Sequence, residues 1–181
     1  MTKSTIRAYI KSLAPQIAAT NAAKSYELIT KQLLVHPVFL AAKTIATYHP
    51  LPDEVDLSHL NQTATRLGKT LAYPICHGAG EMSMIVAHKS AFEQFLPHEL
   101  ETTLSPSQLD LILIPCRAFD PVSLHRLGRG AGYYDRYLAR APRATKIIVA
   151  YELQKSPLLP TDPHDLPADF AITELTTYPV Q

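Results

Sequence analysis

The sequence predicts an α/β layered fold, and three observations carry that prediction. Short apolar runs bounded by turn residues alternate with stretches of helical period. One run, Asp110-Leu111-Ile112-Leu113-Ile114-Pro115, is apolar on both faces, as in a central strand covered by helices. Beyond that strand and a loop lies a glycine-rich segment opening a helix, the place where ligands bind in open α/β sheets.

Ile6, Ile10 and Leu13 form a helical stripe at the amino terminus, with Lys3, Arg7 and Lys11 every fourth residue on another face. A second helix is expected to start at Asn21 as N-cap, run through Ala22, Tyr26, Ile29 and Leu33, and stop before Pro37. Thr44 to Tyr48 reads as a buried strand and His49 to Asp53 as a turn. A third helix carries Leu57, Leu60, Ala64 and Leu67 and ends at Gly68. Further strands are expected at Leu71 to Cys76, Met82 to Ala87, Leu109 to Ile114, Lys146 to Tyr151 and Phe170 to Thr173. The prolines of Leu158 to Pro167 indicate an extended connection.

A chain of 181 residues that is 46% apolar can bury a substantial core, and residues 1–181 read as one domain. Lysine and arginine total 17 against 16 acidic residues. That balance gives no basic field for nucleic acid, so positive charge must act locally. The amino terminus lacks the apolar stretch of a signal peptide, and nothing approaches the roughly 18 apolar residues of a membrane span. A cytoplasmic protein without membrane association is expected. Cys76 and Cys116 read as reduced core thiols, and the eight histidines show no metal-site spacing.

The chemistry concentrates in Arg126-Leu127-Gly128-Arg129-Gly130-Ala131-Gly132-Tyr133-Tyr134-Asp135, which holds three of the six glycines between two arginines and an acidic end. Glycines allow close backbone approach and present N–H groups, guanidiniums are planar anion ligands, and Asp135 could hold a divalent cation. The segment matches neither the P-loop nor the dinucleotide-binding pattern. On the residues alone, such glycines more often form a tight turn than a phosphate cradle, and Lys3 and Arg7 would ordinarily be a solvated helix face. Asp135 could be an N-cap, Asp165 a turn former, Glu54 a first-turn charge, and Tyr133 and Tyr134 core aromatics.

Joined to Asp110–Pro115 and Ala118-Phe119-Asp120, the glycine segment resembles the signature of the 5-formyltetrahydrofolate cyclo-ligase family. Three other stretches resemble the family in the same order: Lys3-Ser4-Thr5-Ile6-Arg7, Tyr48 to Asp56, and Leu159 to Asp165 with Ile172-Thr173-Glu174. The resemblance implies a Rossmann-like layered sandwich with a central, mostly parallel sheet flanked by helices. It implies ATP-dependent closure of 5-formyltetrahydrofolate to the 5,10-methenyl form by a cytoplasmic monomer, with Mg²⁺ as cofactor. Carried over, Lys3, Arg7, Arg126, Leu127, Gly128, Arg129, Gly130, Ala131, Gly132, Tyr133 and Tyr134 bind ATP. His49, Glu54, Arg129, Gly130, Ala131, Gly132 and Tyr133 meet the folate. Arg129 and Tyr133 are the catalytic pair, and Asp135 and Asp165 hold the metal.

The chain departs from the family pattern in four places. Pro121 to His125 is a five-residue loop without the usual glycine. Ala131 stands where glycine or lysine is common, Cys116-Arg117 where glycine and an aliphatic residue are usual, and Phe92 to Pro106 lacks the family's tryptophan and Gly-Ile-x-Glu-Pro stretch. Alternative readings are a noncatalytic nucleotide- or folate-binding protein, an ATP-dependent enzyme acting on another formylated substrate, and an isomerase-like enzyme acting on a phosphorylated sugar.

Overall fold

The computed structural model describes residues 2–22, 24–86 and 102–180. It opens with α1 (Lys3–Ser12), α2 (Ala14–Ala22), α3 (Tyr26–Val35) and α4 (Pro37–Ala41). The stripe of Ile6 and Ile10 is buried as its spacing predicts, and the Thr2 hydroxyl caps α1 by accepting from the Thr5 N–H at 3.2 Å. Asn21 is not an N-cap; it falls in the last turn of α2, and α3 starts only at Tyr26. The break is made by Lys24 in a left-handed conformation, φ +58°, so neither glycine nor proline marks it in the sequence. Pro15 is tolerated in the first turn of α2, where its missing N–H has no helical partner to lose. Pro37 ends α3 as expected but also begins α4, with His36 Nδ1 accepting from the Val38 N–H at 3.3 Å.

Among the described residues, ten strands and two further α-helices follow: β1 (Thr44–Ala46), α5 (Ser58–Arg66), β2 (Thr70–Gly78), β3 (Glu81–Val86), β4 (Thr103–Leu104), β5 (Leu111–Pro115), β6 (Ala118–Phe119), β7 (Arg126–Leu127), α6 (Tyr133–Leu138), β8 (Thr145–Val149), β9 (Phe170–Ile172) and β10 (Thr177–Pro179). Eight strands form one sheet in the order β10-β9-β8-β5-β1-β2-β3-β4, and β6 pairs with β7 apart from it. The five central strands are parallel, with β10 antiparallel at one edge and β3 and β4 antiparallel at the other. The α/β class is as the sequence predicts. Of the stretch Phe92 to Pro106, residues 92–101 lie outside the described part.

β5 shows why its sequence is continuous in apolar residues. Leu111 and Leu113 join the cluster packed by Ile10, Leu33 and Phe39, while Ile112 and Ile114 join Met84, Tyr137 and Leu138. Alternate side chains thus enter cores on opposite faces, and all four are at most 1% exposed. Gly68 ends α5 at φ +75°, with the Lys69 N–H bonding to Ala64 O at 3.0 Å, as a glycine C-cap does.

Of the two cysteines, Cys116 is buried but Cys76 is exposed. β2 runs on past the layer of helices as a two-stranded hairpin with β3, so its last three residues, Cys76 to Gly78, are uncovered.

The order of the parallel strands reverses at β1, because β2 lies on one side of it and β5 on the other. The loops leaving the carboxyl ends of β1 and β5, residues 47–57 and 116–132, therefore diverge around a crevice.

Candidate functional site

Four segments meet at this crevice, and charged side chains join them. From α1, Arg7 Nε donates to Gly128 O at 3.0 Å, and Lys3 Nζ pairs with Asp162 at 2.6 Å and with Asp165. From the turn after β1, Glu54 Oε1 accepts from Arg129 Nη2 at 3.2 Å, and Asp53 Oδ1 accepts from the same atom at 2.5 Å. Glu54 Oε2 accepts from the Leu51 N–H at 3.1 Å, which fixes the turn that presents it. Asp53 also pairs with Arg117.

Arg126 occupies the floor. Its side chain is 3% exposed, with Nη2 donating to Asp135 Oδ1 at 2.8 Å and Nη1 to Leu166 O at 3.2 Å. The Tyr134 ring lies with its centroid 5.8 Å from the same guanidinium. Burial raises the Tyr134 pKa, helped by Glu54 and opposed by Arg126, and burial pushes the Cys116 thiol up to about 12. Both stay protonated at neutral pH.

Burial alone would lower the Lys3 pKa, but Asp162 and Asp165 raise it above its ordinary value. Asp165 responds in the opposite sense: burial would raise its pKa, and Lys3 together with the Asp162 N–H brings it below the usual carboxylate value. Arg129 likewise resists the lowering effect of burial through Asp53 and Glu54.

The glycine segment owes its path to two backbone positions that exclude most side chains. Gly130 has φ +110° and Gly132, just ahead of α6, has φ +70°. Arg136 then staples the segment's end to the β2–β3 hairpin, donating to Ala131 O at 2.5 Å and to Gly80 O at 3.1 Å. Beside the turn after β1 runs an open groove of about 340 Å³, lined by Tyr26, Pro50, Leu51, Pro52, Glu54 and Asp56. His49 stacks on Tyr73 with ring centroids 4.2 Å apart.

A family model describing the 5-formyltetrahydrofolate cyclo-ligase family matches residues 1–174. The chain belongs to this family. A mouse 5-formyltetrahydrofolate cyclo-ligase is 28% identical over 190 residues, covering 95% of this chain and 93% of the mouse protein. The NMR structure of Aquifex aeolicus 5,10-methenyltetrahydrofolate synthetase superposes with a TM-score of 0.82 at 31% identity, covering 100% of this chain and 94% of the other. The Mycoplasma pneumoniae 5,10-methenyltetrahydrofolate synthetase gives 0.77 at 28% identity, with 96% and 99% covered.

Two family departures have structural accommodations. Ala131 is not among the residues with positive φ, so alanine brings no backbone strain there. In the glycine-free loop Pro121 to His125, Leu124 takes φ +53°. Its side chain is fully buried beside Phe119 and Ile148, which offsets the roughly 1 kcal/mol of a left-handed non-glycine residue.

Several expected site residues therefore converge: Lys3, Arg7, Arg126, Gly128, Arg129, Glu54, Asp135 and Asp165 are linked directly or through one intermediate residue. Tyr133 sits at the start of α6 and is half-buried against the same core cluster as Tyr134. His49, stacked on β2, is tied to none of the charged groups by a hydrogen bond among the described residues. Sequence reading missed Asp53, Arg117 and Asp162. It also left His164 as an ordinary histidine, whereas Asp162, His164 and Asp165 place ligand atoms within 4.8 Å of one another.

For a hard cation such as Mg²⁺ the carboxylates are suitable donors and the imidazole is not. Arg126 reaches both Asp135 and the carbonyl next to Asp165, bringing the segments that carry these two carboxylates together. The oxygen donors at this end of the sheet fit Mg²⁺.

The strained glycine gives a stability prediction. Gly130→Ala is expected to lower unfolding free energy by about 2 kcal/mol, because φ +110° suits few non-glycine residues. The new Cβ would meet Arg7 only at 3.6 Å, an ordinary contact, so the effect is one of backbone conformation. Gly128→Ala, with open space and no positive φ, is expected to be within about 0.5 kcal/mol of wild type. Urea denaturation of the two variants provides the comparison.

Proposed function

We propose that this protein converts 5-formyltetrahydrofolate and ATP to 5,10-methenyltetrahydrofolate, ADP and phosphate. The observation that carries the reading is the glycine segment held across the carboxyl ends of β1 and β5, tied by Arg7 to α1 and by Arg129 to Glu54. Such an arrangement offers cations and backbone N–H groups on one side and a carboxylate on the other, as a polyphosphate facing a pterin requires.

The formyl carbon on N5 cannot be attacked productively while its oxygen remains a poor leaving group. Transfer of the γ-phosphoryl group to that oxygen breaks the Oβγ–Pγ bond, forms an O–P bond and releases ADP. N10 then attacks the activated carbon and loses its proton. The carbon–oxygen bond breaks with its electrons on phosphate, leaving the methenyl bridge. Phosphoryl transfer is governed by alignment and charge neutralisation, so no protein nucleophile is needed.

Lys3, Arg7, Arg126 and Arg129 supply positive charge around the phosphates, and Gly128, Gly130 and Gly132, with Leu127 and Ala131 between and beside them, supply close backbone. Tyr133 and Tyr134 line the side leading into α6. Arg129 and Tyr133 are nearest in role to the transferred group, and Arg129 also reaches the folate side through Glu54. Glu54 orients the pterin nitrogens, with His49 beside the turn. Asp135 and Asp165 would hold Mg²⁺, which when bound shields the phosphate oxygens.

In this reading residues 1–181 are a single catalytic domain that acts as a cytoplasmic monomer on small molecules, without nucleic acid or membrane. Among the described residues no helix is long and apolar enough to cross a membrane.

Mixing the protein with 5-formyltetrahydrofolate and MgATP is expected to raise the near-ultraviolet absorbance of the methenyl product, with one ADP released per product. Nucleotide binding without that absorbance would overturn the substrate assignment and favour a binding protein on the same fold.

A further inference from the structure

We infer that Arg117 is a positioning residue: it keeps Asp53 paired and so allows Arg129 to turn from its carboxylate partners to an arriving polyphosphate. This rests on the functional reading above, in which the anion is ATP.

Asp53 is shared between two guanidiniums, with Oδ2 on Arg117 Nη1 and Oδ1 on Arg129 Nη2. The two arginines are mounted differently. Arg117 lies between β5 and β6, its N–H donating to Leu127 O at 2.8 Å and its carbonyl accepting from Gln154 Nε2 at 3.4 Å. Arg129 stands between Gly128 and Gly130 in the segment with the unusual backbone. The backbone of Arg117 is held just beyond the end of β5, whereas Arg129 sits in the glycine loop and is the more exposed of the two.

Exposure and charge give the arrangement its direction. The side chains of Asp53 and Glu54 are 14% and 10% exposed, that of Arg117 is 19% and that of Arg129 is 40%. Two positive and two negative groups balance while Arg129 is in place. When Arg129 leaves for a phosphate, Arg117 still neutralises Asp53. Without Arg117, the same movement takes the last guanidinium from the mostly buried Asp53, and a buried charge that loses its partner is strongly unfavourable. Arg117 thus acts on ligand affinity through Asp53, with no need to touch the ligand.

Calorimetric titration with MgATP tests the inference in R117M, D53N and the double variant, with thermal unfolding recorded alongside. R117M is expected to weaken MgATP binding by about tenfold. Adding D53N to R117M is expected to restore most of that loss, because Arg129 then faces a single carboxylate, Glu54. An unchanged affinity in R117M, or no recovery in the double variant, overturns the inference.

If R117M does not fold, D53N and R117M/D53N remain, neither of which leaves a charged Asp53. Their affinities should agree within about twofold, since Arg117 has no role once Asp53 is neutral. A tenfold gap between them overturns the inference. Wild-type protein that takes up no MgATP overturns the functional reading and this inference with it, whereas failure confined to the variants leaves the functional reading standing.

Discussion

Asp120→Ala is expected to lower the free energy of unfolding by about 3 kcal/mol, without any direct contact to ligand. Asp120 is 5% exposed, and its carboxylate accepts from four backbone N–H groups. Oδ1 accepts from Val122 at 2.9 Å and Ser123 at 3.2 Å, while Oδ2 accepts from Leu158 at 2.8 Å and Leu159 at 3.4 Å. One side chain therefore closes the 120–125 loop and pins the proline-rich connection carrying Asp162 and Asp165. Val122 and Ser123 lie at the surface, where water can replace the lost acceptor. The larger loss falls at Leu159, which is buried, whereas Leu158 is itself at the surface.

The same residue gives an acid dependence with a definite sign. Burial would raise the Asp120 pKa, but the four N–H groups bring it below the usual carboxylate value. A carboxyl whose native pKa is depressed contributes stability above its unfolded pKa, near 3.9, and loses it as pH falls through the native value. The difference in unfolding free energy between wild type and Asp120→Ala should therefore be constant at neutral pH and shrink below about pH 4. Urea denaturation at pH 7, 4 and 3 measures it. Asp120→Asn, which retains one acceptor oxygen, should lose about half as much at pH 7. A pH-independent difference would remove the charged form from the account.

Asp120 also marks the boundary of what the sequence discloses. β5 is legible because burial on both faces demands an unbroken apolar run, and Gly68 because a left-handed cap favours glycine. The strands β4, β6, β7 and β10, of two or three residues each, are too short for an alternating pattern to declare itself. The break between α2 and α3 is hidden for a different reason. It depends on a left-handed lysine, which carries no local signature.

The site divides in the same way. Gly128, Arg129, Gly130 and Gly132 fall within five consecutive residues and are chemically unusual, so a candidate anion site can be read from them in one dimension. Asp53 and Arg117 lie 64 residues apart and acquire meaning only when the loops leaving β1 and β5 are adjacent. Lys3 and Arg7 look like a solvated helix face by spacing; what distinguishes them is their partners Asp162, Asp165 and Gly128, more than a hundred residues away.

Removing Asp135 is expected to affect folding as well as turnover, which modifies what its sequence position suggests. Read as a metal ligand alone, Asp135→Ala should lower activity and spare the fold, and Arg126→Ala should chiefly weaken ATP affinity. The structure makes the two residues one unit. Arg126 is buried, and Asp135 is its only carboxylate partner among the described residues. Asp135→Ala therefore leaves a buried guanidinium with one carbonyl and a tyrosine face, a change of about 3 kcal/mol.

Asp135→Asn keeps an oxygen for Arg126 but leaves its buried charge without a counter-charge, so its stability should fall between that of wild type and that of Asp135→Ala. If Asp135 serves the metal as well as the arginine, Asp135→Asn must still lose most methenyl-forming activity, with a raised Mg²⁺ requirement. Wild-type turnover in that variant would reduce Asp135 to an anchor for Arg126. The double variant R126M/D135L removes both charges together and should be more stable than Asp135→Ala while remaining inactive, because apolar replacement of a buried pair avoids the stranded charge. Denaturation and the absorbance assay on these three proteins separate the anchoring role from the catalytic one.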